Sequence, residues 1–366
     1  MRRHIVLIAP PWYPIPVYGY GGIELVVTLL AAGLRARGHR VTMFAAEGSC
    51  LPAHVAAPRA WSADLGGPDQ HLRLLTYAAA VLRALASLGP VDLIHDHCGG
   101  CMLLGAALLR RAPVVHTVHG PLPEPESTYY RALHAEAGLV AISGSQRRSA
   151  DLAWLGMVHN AADVAALRIG RREDKEPYLV CLARICSDKG QRLAIEVARR
   201  TGLRLVMAGK VETTEEGREY YRRHVAPAID GDRVVHLDNV GGEEKARLLA
   251  RATAMIAPLQ WEEPFGLAMV EAMASGTPVV ALARGAAPEL ITPGQTGFLA
   301  DQIGGLVDGV TRIEEIDPRL CAETARRRFG PAAMVEGYLA VYARAMAGQR
   351  LAVLPPVRED DTAVAG

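Results

Sequence analysis

Two carboxylates, Glu263 and Glu271, frame a short segment whose residues suit the binding of an anion. Pro264 is tolerated where a helix begins, and Gly266 allows a ligand to approach the backbone closely. The first N–H groups of a helix have no partner within the helix, so they attract negative charge. The sequence therefore predicts an anion site at a helix N-terminus, formed by the backbone of Gly266, Leu267 and Ala268.

A second charged pair, Arg184 and Lys189, follows an apolar run that is typical of a buried strand. The next helix is predicted to begin at Gln191. Two cations held between a strand and a helix N-terminus suit the two phosphates of a diphosphate. The alternative is a solvent-exposed turn with ordinary charges. Gly209 directly follows the next predicted strand, at the turn after its carboxyl end.

His119 follows the apolar run 113–118 and precedes a glycine. Isolated histidines are usually structural, but open parallel α/β sheets bind ligands at the carboxyl ends of their strands, which favours a ligand site here. A zinc site is a competing hypothesis for the end of the preceding strand, where five residues of three metal-ligating types stand close together: His95, Asp96, His97, Cys98 and Cys101. A C-x2-C pair without a second pair is weak support for zinc, so we assign no metal ligand.

Gly21 and Gly22 open a helix predicted over residues 23–37, after a first buried strand. This turn has no G-x-G-x-x-G and no phosphate-binding lysine, which argues against a dinucleotide or P-loop site. The loop before it carries four aromatic residues, Trp12, Tyr13, Tyr18 and Tyr20. These rings either stack against a sugar or aglycone, or pack over the edge of their own domain.

The composition excludes several classes of protein. The chain has 366 residues, 22% of them charged, and a net charge of +1, which fits two soluble domains and argues against nucleic-acid binding. No apolar run reaches the roughly 18 residues that a transmembrane helix needs. Short arginine clusters allow at most a peripheral membrane contact. Six cysteines in a chain of this length predict free thiols in a cytoplasmic protein.

Strand and helix patterns alternate along the chain, which predicts an α/β fold with two doubly wound, Rossmann-like domains. The charged and unpatterned residues 165–177 predict a linker. The domains are therefore expected at residues 1–168 and 178–330. A helix over residues 331–347 and a flexible tail over residues 348–366 follow them.

Four features, taken in chain order, resemble the retaining glycosyltransferases of family 4, which have the GT-B fold. They are Gly21-Gly22, His119-Gly120, Arg184 with Lys189, and the E-x7-E of Glu263 and Glu271. The resemblance implies two Rossmann-like domains facing across a cleft, with the acceptor on the first and the nucleotide-sugar donor on the second. The last helix would return to the first domain. It further implies transfer of a hexosyl unit, with retention, to an unknown sugar, lipid or natural-product hydroxyl.

The resemblance also implies roles for individual residues. In the family the first glutamate and the cleft histidine contact the donor sugar, so His119 and Glu263 become the catalytic candidates. The second glutamate holds the ribose, and the arginine and lysine hold the diphosphate. The residues expected to bind the donor are Gly21, Gly22, Arg184, Lys189, Gly209, Gly266, Leu267 and Glu271. Because fixed cations meet the diphosphate, no metal or further cofactor is expected.

One departure from the family pattern is Ala286, which replaces the second glycine of a G-G-x-P-E motif and should narrow the space near the donor. Two other functions fit the same fold. An epimerase or phosphorylase would turn over without a separate acceptor, or with free phosphate. A non-catalytic nucleotide-sugar-binding subunit is the other alternative, and the presence of Glu263 and His119 argues against it.

Overall fold

The structure is a computed structural model that describes residues 2–16, 21–49, 53–57, 60–61, 67–133 and 136–348. Tyr18, Tyr20 and the predicted tail from residue 349 onward lie outside these ranges. The described residues divide into two compact units. The first comprises residues up to 161 and from 331 onward, and the second comprises residues 162–330.

The first unit is built on a seven-stranded parallel sheet. Along the chain its strands are β1 His4–Ile8, β2 Arg40–Ala46, β3 Ala53–Ala57, β4 Leu93–Asp96, β5 Val114–Thr117, β6 Ala137–Ala141 and β7 Trp154–Met157. Their spatial order is β3-β2-β1-β4-β5-β6-β7, so the direction of winding reverses between β1 and β4. The helices between them are α1 Gly22–Ala36, α2 Gln70–Ser87, α3 Gly100–Leu109, α4 Glu126–Leu133 and α5 Gly144–Ser149.

Both faces of this sheet are covered, which explains why its strands are continuous apolar runs. Successive side chains of a strand point to opposite faces. In β1, Ile5 and Leu7 therefore pack into the core beneath α1, whereas Val6 and Ile8 pack into the core shared with α2 and α3. All four side chains are buried.

The second unit contains a six-stranded parallel sheet with the order β10-β9-β8-β11-β12-β13. Its strands are β8 Glu176–Leu182, β9 Arg204–Ala208, β10 Val234–Leu237, β11 Ala252–Ala257, β12 Val279–Leu282 and β13 Gly297–Ala300. Its helices are α6 Gln191–Thr201, α7 Glu215–Tyr220, α8 Gly242–Arg251, α9 Leu267–Ala274, α10 Ala287–Leu290, α11 Ile303–Thr311 and α12 Pro318–Phe329. The winding reverses between β8 and β11. The predicted fold class, two Rossmann-like doubly wound α/β units, is confirmed.

The last helix, α13 Pro331–Met346, belongs to the first unit and packs against α1 and β7. Its approach to α1 depends on Gly33, where an added Cβ would lie 2.4 Å from a methyl group of Val335. The buried Tyr338 and Tyr342 of this helix enter the same core as β1. The domain limits and the linker drawn from the sequence stay predictions.

Two local expectations were wrong. The composition of residues 48–70, rich in Pro, Gly and Ala, predicts only loop, but β3 pairs in parallel with β2 there. The β3 segment, AHVAA, has a single β-branched residue and so little strand propensity, and pairing with β2 decides its conformation. The helix expected near Pro264 begins at Leu267, because Gly266 has a φ of 94°, outside the helical range. None of the helices within the described ranges is long and apolar enough to cross a bilayer.

Candidate active site

Arg184, Lys189 and Glu263 all lie on loops at the carboxyl ends of β8 and β11, the two central strands of the second unit. This is the point where the strand order reverses, and doubly wound sheets bind ligands at such a point. The two loops are joined directly, since the Gln260 N–H donates a hydrogen bond to the Asp188 carbonyl at 2.8 Å. The fold therefore brings together charged residues that stand more than seventy positions apart in the chain.

Glu263 is held by two partners. The Lys189 ammonium group forms an ion pair with Glu263 Oε2. Trp261 Nε1–H donates to the same oxygen at 3.2 Å, and its ring centroid lies 4.6 Å from Lys189 Nζ. The Lys189 and Glu263 side chains are only 16% and 14% exposed. Partial burial strengthens the attraction between the two charges relative to an exposed pair.

The N-terminus of α9 lies beside this ion pair. Gly266 caps the helix with left-handed backbone geometry, and Leu267 is the first helical residue. A Cβ at Gly266 would meet Met269 Cε at 2.2 Å and lie 3.5 Å from Glu263 Cγ. A side chain at this position would strain the left-handed backbone, whereas the contact with the flexible end of Met269 could be relieved by its rotation.

Arg184 and Gly209 also meet. Gly209 follows β9 with a φ of 143°, and an added Cβ would lie 2.2 Å from the carbonyl oxygen of Ala183 and 3.2 Å from the backbone nitrogen of Arg184. The Arg184 carbonyl accepts a hydrogen bond from Gln191 Nε2 at 2.9 Å. The Arg184 guanidinium forms an ion pair with Glu212.

Glu271 has a different partner from Glu263. It lies within α9, is buried, and pairs with Lys245 Nζ of α8 at 2.7 Å. Each carboxylate of the E-x7-E motif is therefore matched with a lysine of the same unit, as Arg184 is matched with Glu212. The candidate donor-binding charges are therefore paired with opposite charges of the second unit.

In the first unit, His119 belongs to a cluster of histidines at the carboxyl ends of β4 and β5. His119 Nε2 lies 2.9 Å from His97 Nδ1, and the two rings are stacked with centroids 5.2 Å apart. His116 Nδ1 lies 2.8 Å from Asp96 Oδ2, within a separate buried pair. The His95 and His97 ring centroids lie 4.0 Å apart, with the rings tilted by 41°. His119 is half-buried, whereas the other three rings are buried.

Burial decides the charge of three of these rings, those of His119, His97 and His95. It lowers the pKa of His119 to about 3, with a further lowering from His116. It also lowers the pKa values of His97 and His95 well below 6.5, and neighbouring histidines add to that effect. His119 and His97 are therefore both uncharged at neutral pH.

Two of the residues considered as zinc ligands, His95 and Asp96, are hydrogen-bonded within the protein. The two ring nitrogens of His95 lie within hydrogen-bond distance of Tyr342 Oη and Thr117 Oγ1, at 2.7 and 2.8 Å. The Asp96 carboxylate accepts the N–H groups of Cys98 and Gly99 at 3.1 and 2.8 Å. In the part of the chain that is described, no group of three or more His, Cys, Asp or Glu side chains is arranged to hold a metal.

The glycine pair begins α1, with Gly21 as the capping residue and Gly22 as the first helical residue. The Gly21 carbonyl accepts the N–H of Leu25 at 3.0 Å. Of the loop aromatics, Trp12 is buried in the core and Tyr13 packs against it. For these two rings the structure favours packing over their own domain rather than stacking against a ligand.

Glu24, in the first turn of α1, received no role from the sequence. It is buried, and burial raises its pKa from 4.5 to about 7, although bonds from the backbone of Glu24 and Tyr13 act in the opposite direction. The unfolded chain ionises this group near pH 4.5 and the folded chain near pH 7. The folded state therefore loses stability as the pH rises between these values.

We expect Glu24→Gln to raise the free energy of unfolding at pH 8 by up to about 3 kcal/mol, because the amide avoids the cost of ionising a buried carboxyl group. At pH 4 the variant and the wild type should be nearly equal. Chemical denaturation at both pH values measures the difference. Glu47→Gln, at an exposed position, is the control. Parallel pH profiles for wild type and Glu24→Gln would contradict the expectation.

Sequence reasoning also missed the partners of the predicted residues: Glu212, Lys245, Trp261 and His97. Of these four residues, Trp261 could have been singled out from the sequence, because it stands two positions before Glu263 in the segment that follows β11. The pairing of Lys245 with Glu271 spans 26 residues, so only the packing of α8 beside α9 could show it.

Comparison with known proteins gives two family matches. A family model described as "Glycosyltransferase Family 4" matches residues 20–165, and one described as "Glycosyl transferases group 1" matches residues 166–333. Among curated proteins, the D-inositol 3-phosphate glycosyltransferase of Mycolicibacterium smegmatis is 27% identical over 90% of this chain and 88% of its own length. That of Nocardia farcinica is 29% identical over 89% and 85%.

Solved structures share the fold over nearly the whole chain. AviGT4, a glycosyltransferase involved in avilamycin A biosynthesis, superposes with a TM-score of 0.71 and 25% identity over 94% of this chain and 98% of its own. HepE of Anabaena, solved in complex with UDP and glucose, gives a TM-score of 0.72 with 19% identity over 93% and 100%.

Proposed function

We propose that this chain, which belongs to the glycosyltransferases of family 4 and so uses a nucleotide sugar, transfers a hexosyl unit to an acceptor hydroxyl. The donor is a nucleotide diphosphate sugar, and the product retains the anomeric configuration of the donor. The observation that carries this proposal is the meeting of Lys189, Glu263 and the N-terminus of α9 at the reversal point of the second sheet.

The chemistry follows from charge. Breaking the bond between sugar and diphosphate leaves extra negative charge on the leaving phosphate. Arg184, Lys189 and the first N–H groups of α9 are the groups that would stabilise that charge, and their effect grows as the bond breaks. Attack from the same face, assisted by the leaving phosphate, would give retention without a covalent enzyme intermediate.

Binding of the donor would exchange the ion pairs that Lys189 and Arg184 form within the second unit. Lys189 would turn from Glu263 to the diphosphate, and Glu263 would then be free to accept hydrogen bonds from the hydroxyls of the sugar. Trp261 Nε1 would remain as the donor that orients this carboxylate. Arg184 would move in the same way from Glu212. The exchange leaves Glu263 and Glu212 without their cations, a cost that charge-assisted hydrogen bonds to the diphosphate and to the sugar hydroxyls would have to offset.

The test is a transfer assay with a panel of nucleotide sugars, chosen by thermal shift. A donor at 100 times its dissociation constant stabilises the protein by about 2.7 kcal/mol. The relatives named for D-inositol 3-phosphate make that compound the first acceptor to try. NMR of the anomeric proton of the product should show the configuration of the donor, with or without EDTA. An inverted product, turnover without an acceptor, or a strict need for a metal would overturn the proposal.

For the second glutamate we expect Glu271→Gln to raise the KM for the donor about 10-fold and to leave kcat nearly unchanged, as for the loss of one charged hydrogen bond to the ribose. Steady-state kinetics at varied donor concentration measure this. Glu243→Gln is a matched control, because Glu243 lies on the surface of α8, where its pair with Arg168 is exposed. A fall in kcat at unchanged KM would place Glu271 at the reacting sugar instead.

A further inference from the structure

The second histidine of the pair, His97, has no assigned role, although its contact with His119 is specific. His97 directly follows β4, and His119 lies two residues beyond the end of the neighbouring strand β5. The backbone of His97 is fixed by its N–H bond to the Ile8 carbonyl at 3.0 Å. A single hydrogen bond, 2.9 Å from His97 Nδ1 to His119 Nε2, joins the two rings.

This bond can be made in two ways, because both rings are neutral and only one proton lies between them. If His119 donates, His97 must carry its own proton on Nε2. If His97 donates through Nδ1, then Nε2 of His97 is a bare lone pair, and His119 carries its proton on Nδ1.

The surroundings of His97 Nε2 distinguish these states. Among the residues that the structure describes, this buried atom has no hydrogen-bond partner. A buried N–H without an acceptor is rarer in proteins than an acceptor without a donor. The state in which His97 donates and His119 accepts therefore costs less.

We propose that His97 is a positioning residue that fixes His119 as the tautomer protonated on Nδ1, so that His119 offers a neutral N–H donor to a hydroxyl of the transferred sugar. This rests on the proposed function and on the role that the family resemblance implies for His119, which is contact with the transferred sugar. A neutral donor suits that place, because positive charge develops on the sugar as its bond to the phosphate breaks, and a cationic imidazole would oppose it.

The neighbouring ring of His95 helps to fix the orientation of His97. The His95 ring lies against the His97 ring at a tilt of 41°, and its two nitrogens are hydrogen-bonded to Tyr342 of α13 and Thr117 of β5. Thr117 Oγ1 in turn lies 2.9 Å from Tyr338 Oη, also on α13. The orientation of His97 is thus set by a buried network of the first unit, and such supporting shells commonly hold a reacting group in place.

The first arm of the test is spectroscopic and needs no substrate. In protein labelled with 15N-histidine, two-bond 1H–15N correlations should show His119 protonated on Nδ1 and bare on Nε2. In His97→Leu, His119 should shift to the Nε2-protonated form. His97→Asn should retain the wild-type form, because its amide nitrogen lies near the position of Nδ1. Protonation of His119 on Nε2 in the wild type would overturn the proposal.

The second arm is kinetic, with circular dichroism to verify that each variant is folded. His97→Leu and His97→Gln should lower kcat about 10-fold at an unchanged donor KM, and His97→Asn should recover most of that loss. In a His119→Ala background, His97→Leu should change kcat by less than about 2-fold, since it acts through the missing ring. A full 10-fold loss in that background would overturn the positioning role. Wild-type turnover by His119→Ala would instead refute the proposed function of His119, and the spectrum would still decide the tautomer.

Discussion

Replacement of Glu263 by glutamine is expected to lower kcat about 10²-fold, as for the loss of a contact that positions the reacting sugar. Affinity for the bare nucleoside diphosphate should be unchanged or higher. The reason is the ion pair with Lys189, which the diphosphate must displace in the wild type and which is absent from the variant. Steady-state kinetics and calorimetry with the bare nucleotide give the two quantities separately.

Glu262→Gln is the matched control, since this neighbouring carboxylate accepts the N–H of Gly285 at 2.7 Å and glutamine can keep that bond. It should stay within about 2-fold of wild type in kcat, as for most exposed substitutions. If Glu263→Gln weakens binding of the bare nucleotide, or turns over at the wild-type rate, Glu263 does not face the transferred sugar.

Lys189→Ala is expected to weaken binding of the nucleoside diphosphate about 10- to 100-fold, the effect of losing one hydrogen bond to a charged group. It should also lower kcat, because the charge on the leaving phosphate grows in the transition state. The variant leaves Glu263, only 14% exposed, without its cation, which adds repulsion toward the diphosphate. Calorimetry and single-turnover rates measure the two effects.

The double variant Lys189→Ala/Glu263→Gln separates direct attraction from this repulsion, since part of the lost affinity should return when the unpaired carboxylate is removed. Arg200→Ala is the control for loss of a cation, because its pair with Glu196 on α6 is largely exposed and worth little. Affinity equal to wild type in Lys189→Ala would remove Lys189 from the diphosphate site.

The sequence predicted the fold class because parallel strands covered on both faces must be apolar throughout. The runs around Ile5 and Leu179 showed this directly. It could not predict β3, whose short alanine-rich segment becomes a strand only through pairing with β2. The start of α9 was misplaced by three residues, because proline and glycine both fit a helix start and only the φ of Gly266 distinguishes them.

The candidate site residues were named from the sequence, since Arg184, Lys189 and Glu263 stand at turns where parallel strands end. Glu271 was named from its place in the helix that follows. Their partners came only from the tertiary structure. Pairs such as Lys189 with Glu263, or Lys245 with Glu271, join residues far apart in the chain, and no local pattern encodes which cation meets which carboxylate. The same holds for His97 and His119, which become neighbours because β4 and β5 are adjacent in the sheet. Local sequence patterns determine where a strand ends and which residues stand there. The charge state of each side chain and the partner that it pairs with depend on burial and on which residues the fold brings into contact with it.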